Sequence, residues 1–353
     1  MKSIKNLSTM SPLQVVPDDY FVDGTQDWFA ILSGLDQGKR LFYFDEKIAD
    51  RPNGKTVLFI HGNPECSYTW RDVIAEIRKF PVINRIVAVD HIGFGLSDPA
   101  DFEMVEMHHA ANLIQFVRHL DLNDVVLVVH DWGGPIGIGA LLRDAARVVG
   151  LVVVNSTVFP MPQTGLTYDE FPFRWFPWSK SPRRIPDIFW PSFAAFVVTR
   201  GEPQNSARFT ARVLRAIIKD VFRSERFKGD DAEFVFAQML RQKINTLSSK
   251  RNVLQTPYWG HGYQYVDKRH GVQDNQDFYD VIQRNIGSQW SKVPVRGLFG
   301  AWDPCGKNEV INQWCEALPQ MQSTLRTFEN RGHFLEEHEP KAVAEAIREV
   351  AIN

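Results

Sequence analysis

The chain has 353 residues, 44% of them hydrophobic, enough to bury a large core and, by length, about two domain-sized units. A formal net charge of −2 and a pI near 6.6 exclude a global basic field for nucleic acid. Three cysteines (Cys66, Cys305, Cys315) make no full disulfide set and fit a reducing compartment. Residues 1–7 lack the apolar run of a signal peptide, and no stretch reaches the length of a membrane span. A cytoplasmic protein is the expectation.

In chain order, residues 27–33 and 39–45 flank a Gly/Asp turn and predict an antiparallel hairpin. Strands then alternate with helical patterns: strand 56–60, helix around 70–80, strand 85–89, helix around 107–120, strand 125–129, helix 136–147, strand 150–154. This rhythm predicts a parallel sheet with helices on both faces, and active residues at the carboxyl ends of strands. It breaks from about 157 to 292, a helical-looking segment rich in Pro and aromatics. It resumes with strands at 293–299 and 323–328 and a closing helix at 341–350. The expected organisation is a core of residues 1–156 and 293–353 with an inserted cap of residues 157–292.

The stretch Val125-Val126-Leu127-Val128-Val129-His130-Asp131-Trp132-Gly133-Gly134 combines a buried strand, a tight turn and a helix start. One reactive side chain stands at the apex, and it is Asp131. A carboxylate that displaces a leaving group from a saturated carbon becomes an ester, which water can cleave; a serine would become an inert ether. An aspartate there suits attack on a carbon–halogen bond or a strained ring. The competing explanation is a helix cap.

His61-Gly62-Asn63-Pro64 follows the first parallel strand. The backbone N–H of Asn63 and that of Trp132 suit an oxyanion on the esterified carboxyl. The Asn63 amide and the Trp132 indole N–H are further donors for a departing halide or carboxylate; alternatively they are a polar loop and a core tryptophan. In a sheet of this kind the acid and base follow the nucleophile in chain order. Asp303, after the strand at 293–299, is the candidate orienting acid, and His333, after the last strand, the candidate base. Asn155 occupies the other place for an acid and cannot serve as one. His91, His108, His109, His130, His261, His270 and His338 are expected to be structural or solvated, His130 being the hardest to assign. No metal or cofactor is expected: the Cys/His spacings match no zinc pattern, and the loop 90–98 has two glycines but not the third of a dinucleotide fingerprint.

Together, His61–Pro64 with Ser67–Arg71, Asp90–Asp98, Val129–Gly134, Asp303 and Gly332-His333-Phe334 resemble the haloalkane dehalogenases of the α/β-hydrolase superfamily. The pair Asn63/Trp132 with an acid at 303 is similar to their third subfamily. With Asn155–Pro160 added, the motifs are as similar to the β-lactone decarboxylases of bacterial olefin synthesis. The resemblance covers roughly 20–156 and 293–353. It implies an α/β-hydrolase fold with a mostly parallel eight-stranded sheet and a helical cap. It also implies a catalytic set Asp131, Asp303 and His333, with Asn63 and Trp132 holding the leaving anion, and a small apolar substrate, haloalkane or alkyl β-lactone. Epoxide hydrolysis would need cap tyrosines (Tyr168, Tyr258, Tyr263, Tyr265), and Asn63 counts against it. A non-catalytic lid-and-core module leaves the complete set of acid, base and nucleophile unexplained. Residues 171–228 carry 12 Lys/Arg against four acids, with nine aromatics in 171–196. Such a stretch suits a membrane surface or an acidic partner as well as a solvated lid.

Overall fold

A computed structural model describes residues 11–20, 24–162, 167–200, 206–222, 232–255 and 265–352. Its centre is an eight-stranded sheet: β1 (Thr25–Ala30), β2 (Arg40–Lys47), β3 (Lys55–Ile60), β4 (Ile83–Val89), β5 (Val125–His130), β6 (Val148–Val154), β7 (Val295–Gly300) and β8 (Arg326–Phe328). The spatial order is β1-β2-β4-β3-β5-β6-β7-β8. Strands β3 to β8 pair in parallel, and β2 alone runs antiparallel to both its neighbours. The eight-stranded, mostly parallel architecture expected from the resemblance is therefore present.

The central strands are apolar on both faces because both faces are covered. Along β5, Val125, Leu127 and Val129 join one core cluster and Val126 and Val128 the other. The second cluster lies under α1 (Arg71–Ile77) and the carboxyl-terminal helix Pro340–Ala351, whose Val343, Ile347 and Val350 are buried. The first takes in α2 (Glu106–His119) and α3 (Gly133–Leu141), together with much of the chain between β6 and β7.

Strands β6 and β7 are neighbours, with Val154 opposite Leu298. Among the described residues, the chain between them adds nothing to the eight-stranded sheet. It forms α4 (Trp190–Arg200), α5 (Ser206–Phe222), α6 (Ala232–Leu240), α7 (Lys243–Gln255) and α8 (Gln276–Gln289). The reading of this segment as purely helical needs a correction. It also holds two short antiparallel ribbons, 172–173 with 176–177 and 265–267 with 271–273. Pairs of two or three residues are too short to show an alternating pattern.

Loop 90–98 is a tight turn, as expected, built on the buried Asp90. Its carboxylate accepts from the backbone N–H groups of Ser67 (2.7 Å) and Leu96 (2.8 Å) and from the Tyr20 hydroxyl (2.7 Å). All three cysteines are free thiols.

Candidate active site

Five strand ends converge on one place. Register puts Ile60 beside Val129 and His130 beside Val154, so residues 61–63, 131–132 and 155–156 emerge side by side. The loops after β7 and β8 bring Asp303 and His333 to the same edge. Asp131, Asp303, His333, Asn63 and Trp132 are all buried there. The sequence-predicted set is thus brought together without exception.

The turn carrying Asp131 is strained and enforced. Asp131 has φ of 48°, the left-handed region that costs an ordinary side chain free energy. It persists because α3 starts immediately and packs down hard. A Cβ on Gly133 would strike the carbonyl of Ile60, and one on Gly62 would collide with the Asp131 side chain and lie 2.7 Å from the Trp132 nitrogen. Ser156 Oγ donates to the Asp131 carbonyl at 2.5 Å, tying the turn to the end of β6.

His333 Nδ1 lies 2.6 Å from Asp303 Oδ2, and its Nε2 lies 3.4 Å from Asp131 Oδ2. Asp303 is itself held by the Cys305 backbone N–H, 2.7 Å from Oδ1. With Nδ1–H given to Asp303, Nε2 faces Asp131 and the space beside it. Burial by itself would lower the His333 imidazole, but the Asp303 charge and the Asp131 hydrogen bond outweigh it and hold it well above its ordinary value. Burial would raise Asp131; the hydrogen bond and charge of His333, with the Asn63 N–H, more than offset it and leave the carboxyl below the usual range. These interactions favour an Asp131 carboxylate beside a His333 imidazolium.

The Asn63 backbone N–H donates to Asp131 Oδ1 at 2.9 Å, the place expected of an oxyanion donor. The two side-chain donors differ. Asn63 Nδ2 gives one N–H to Ser249 Oγ at 2.9 Å, whereas the Trp132 indole nitrogen is buried with no partner among the described residues. Ser249 also accepts from Trp190 Nε1 at 3.0 Å, so one hydroxyl on α7 orients the Asn63 amide. An amide has two N–H donors, and the second remains for a ligand. Nothing in the sequence pointed to Ser249, because it lies 186 residues from Asn63 on a helix with no motif.

A cavity of about 20 Å³ adjoins these groups, lined by Asp131, Trp132, His333, Tyr168, Trp178 and Val253 among others. That is room for roughly one water. Tyr168 stands at the site; Tyr258, Tyr263 and His261 lie outside the described residues, and only the backbone of Tyr265 is described.

Behind the site lies a network that sequence reading left open. His130 Nε2 is 2.9 Å from the His333 carbonyl and donates to it, leaving Nδ1 to face Glu65 Oε1 at 2.7 Å and Glu336 Oε1 at 3.3 Å. Burial lowers the His130 imidazole, so it is neutral and Nδ1 accepts. Burial likewise drives Glu65 well above the carboxylate range and pushes Glu336 up to about 8, so the carboxyls are protonated and supply the donor. Asn155, though no acid, is structural: its Nδ2 donates to the carbonyls of Gly332 (2.8 Å) and His333 (2.6 Å), and its Oδ1 accepts from Gly300 N–H. His130 and Asn155 together fix the main chain that carries His333.

A carboxyl whose folded value is raised stabilises the fold below its unfolded value, near 4.5. That contribution is lost as pH rises through about 8. The melting temperature should accordingly fall over this window more steeply than in Glu336→Gln, by at most about 1.4 kcal/mol of stability per pH unit. Thermal melts at intervals between pH 5 and 8 read the difference. Parallel curves for the two proteins would mean that Glu336 is ionised.

His61, His91 and His109 stack in a buried row, with ring centroids 4.3 and 5.1 Å apart, and burial takes His91 down to about 4. His91 and His109 are structural, as expected, and His61 joins them. Among the described residues one triplet, Glu65, His130 and His333, is compact enough to consider for metal, but each imidazole is already committed to the hydrogen bonds above.

The geometry agrees with what known proteins show. The alpha/beta hydrolase family matches residues 57–346. The chain is 32% identical over 322 residues to a cis-3-alkyl-4-alkyloxetan-2-one decarboxylase of Xanthomonas campestris, covering 88% of this chain and 92% of that protein. It is 36% identical over 324 residues to a haloalkane dehalogenase of Sphingobium indicum, covering 88% and 91%. Among solved structures, haloalkane dehalogenase DpaA from Paraglaciecola agarilytica superposes with a TM-score of 0.62 at 20% identity, covering 95% of both chains, a likeness of fold. With its sheet, its elbow and these relatives in agreement, the chain belongs to the alpha/beta hydrolase family and is an enzyme of it, with haloalkane dehalogenases and oxetanone decarboxylases as homologues.

Proposed function

We propose that the enzyme attacks an electrophilic sp³ carbon with Asp131 and that a haloalkane is the substrate class. The observation that carries this reading is the placement of one imidazole between two carboxylates, 3.4 Å from Asp131 and 2.6 Å from Asp303, beneath an indole N–H that has no partner among the described residues. An Asp131 oxygen forms a C–O bond as the carbon–halogen bond breaks, and the halide leaves between Trp132 Nε1 and the spare Asn63 N–H. The product is a neutral ester, and the loss of the Asp131 charge removes one of the influences holding His333 protonated. The imidazole then releases its Nε2 proton to solvent and becomes a base at the step that requires one. His333 then takes a proton from water, the hydroxide adds to the ester carbonyl, and the oxyanion is held by the Asn63 and Trp132 backbone N–H groups. Collapse expels the alkoxide, which takes the proton from the His333 imidazolium and leaves as the alcohol, and the acid so formed ionises back to the Asp131 carboxylate.

A second reading, decarboxylation of a cis-dialkyl β-lactone, is favoured by similarity across 92% of the length of the Xanthomonas relative. Asp131 would open the ring at the carbon bearing oxygen, leaving a carboxylate in the same anion site. Loss of carbon dioxide would send its electron pair into the new C=C bond as the C–O bond to Asp131 breaks, with no water consumed.

On either reading residues 157–292 act as a cap, since Tyr168, Trp178 and Val253 wall the site and a one-water cavity admits substrate only when they shift. Bromoalkanes and dialkyl β-lactones offered side by side, with bromide and alkene assayed, decide between the two. Bromide release is the expected result, alkene alone establishes the second reading, and neither product refutes both.

A further inference from the structure

On the cap, away from the Asp131 cavity, lies a cavity of about 160 Å³ lined almost wholly by apolar side chains, including Phe173, Trp175, Phe176, Phe193, Val213 and Leu214. Two of its lining residues are exposed, Trp175 at 59% and Leu214 at 55%, and Ile218, one turn beyond Leu214 on α5, is 56% accessible. Soluble surfaces scatter such residues singly; here two of them line one opening and a third follows on the same helix.

The charges around it are arranged, not random. On α5, Phe209, Val213 and Ile217 face inward. Ala207, Ala211, Leu214 and Ile218 form the next stripe, and Arg208, Arg212, Arg215 and Lys219 the one beyond, each at helical spacing. Arg215 and Lys219 are exposed. Across the opening stand Arg183 and Arg184, both exposed, the latter with its guanidinium 5.9 Å from the Phe176 ring centre. Of the acids nearby, Asp187 is already paired with Lys250 and Glu170 with Arg174. The face is thus an apolar opening between two rows of cations.

We propose that this face, with Trp175, Leu214 and Ile218 inserted and Arg183, Arg184, Arg215 and Lys219 against the headgroups, seats the enzyme on an anionic lipid bilayer. An amphipathic helix with a cationic stripe beside an apolar one lies in an interface in this way, and a rim tryptophan suits the headgroup level. A purely polar acidic surface would leave the apolar cavity unfilled, whereas its volume is that of a site for a hydrocarbon of about six carbons, such as a stretch of acyl chain. The contact is peripheral, since no helix among the described residues is long and apolar enough to cross a membrane. It is independent of the Asp131 chemistry.

The test is co-sedimentation of the full chain with phosphatidylcholine vesicles and with vesicles of phosphatidylcholine and phosphatidylglycerol at 7:3, at low and high salt. The expected result is binding to the anionic vesicles, lost at high salt because the attraction is screened. Both the charge-reversed variant R183E/R184E/R215E/K219E and the apolar-to-polar variant W175S/L214S/I218S should lower partitioning by at least tenfold, with circular dichroism confirming that each is folded. Asp131→Asn should bind as the unaltered enzyme does. Absence of vesicle binding, equal binding to neutral vesicles, or variants that bind undiminished would each overturn the proposal; the first is what an acidic protein partner predicts.

Discussion

A His333→Ala variant offered a bromoalkane is expected to become alkylated on Asp131 and to stop there. Formation of the ester needs the carboxylate, which keeps the Asn63 N–H at 2.9 Å without the imidazole. Hydrolysis needs a base, and removing one typically costs about 10²–10⁴-fold. Intact-mass spectrometry should show one added alkyl group and a single equivalent of bromide, while Asp131→Asn shows neither. An unmodified His333→Ala protein in excess substrate would refute the ester mechanism. The unaltered enzyme should show the same division as pH is lowered. Asp131 is held below the usual carboxylate range, so alkylation continues into acid, whereas water activation requires neutral His333 and fails first. Acid-quenched samples should therefore contain more ester at pH 5 than at pH 8.

Trp132→Phe keeps the ring and removes the N–H. Loss of one donor to developing negative charge should cost on the order of 10²–10³ in the bond-breaking step. Stability should move the other way or not at all. The indole nitrogen is buried without a partner among the described residues, and removing an unsatisfied donor relieves its desolvation cost. Lost turnover at an unchanged or raised melting temperature is a signature that a merely structural tryptophan would not give. Full activity in the variant, or activity that falls only as the fold does, would remove Trp132 from the anion site. Asn63→Ala is less clean, because it also frees Ser249.

The sheet was readable because its strands lie buried on both faces. The uninterrupted apolar run at 125–129, four of its five residues β-branched, is visible without any partner, and the predicted bounds of β3 to β7 fall within about two residues of those observed. Errors gather where a neighbour decides. The helix after the elbow was expected to run from 136 to 147; it begins at Gly133 and ends at Leu141, and residues 142–147 form a 3-10 turn broken at Asp144. Gly133 and Gly134 start it early because only glycine can approach the Ile60 carbonyl of β3 and Ser156 after β6 so closely. The last strand shrinks to Arg326–Phe328, since the turn led by Pro319 takes residues 319–324.

By itself the sequence determined the succession of strands and helices, the aspartate at the elbow, and the places of Asp303 and His333 after the last two sheet strands. These depend on local patterning and on chain order, which a single chain displays. The protonated Glu65–His130–Glu336 network, the Ser249 hydroxyl that orients Asn63, the unpartnered Trp132 N–H and the cation-flanked apolar opening on the cap were decided only in three dimensions. Each depends on what burial leaves paired or unpaired between residues distant in the chain, and no spacing along the sequence records that.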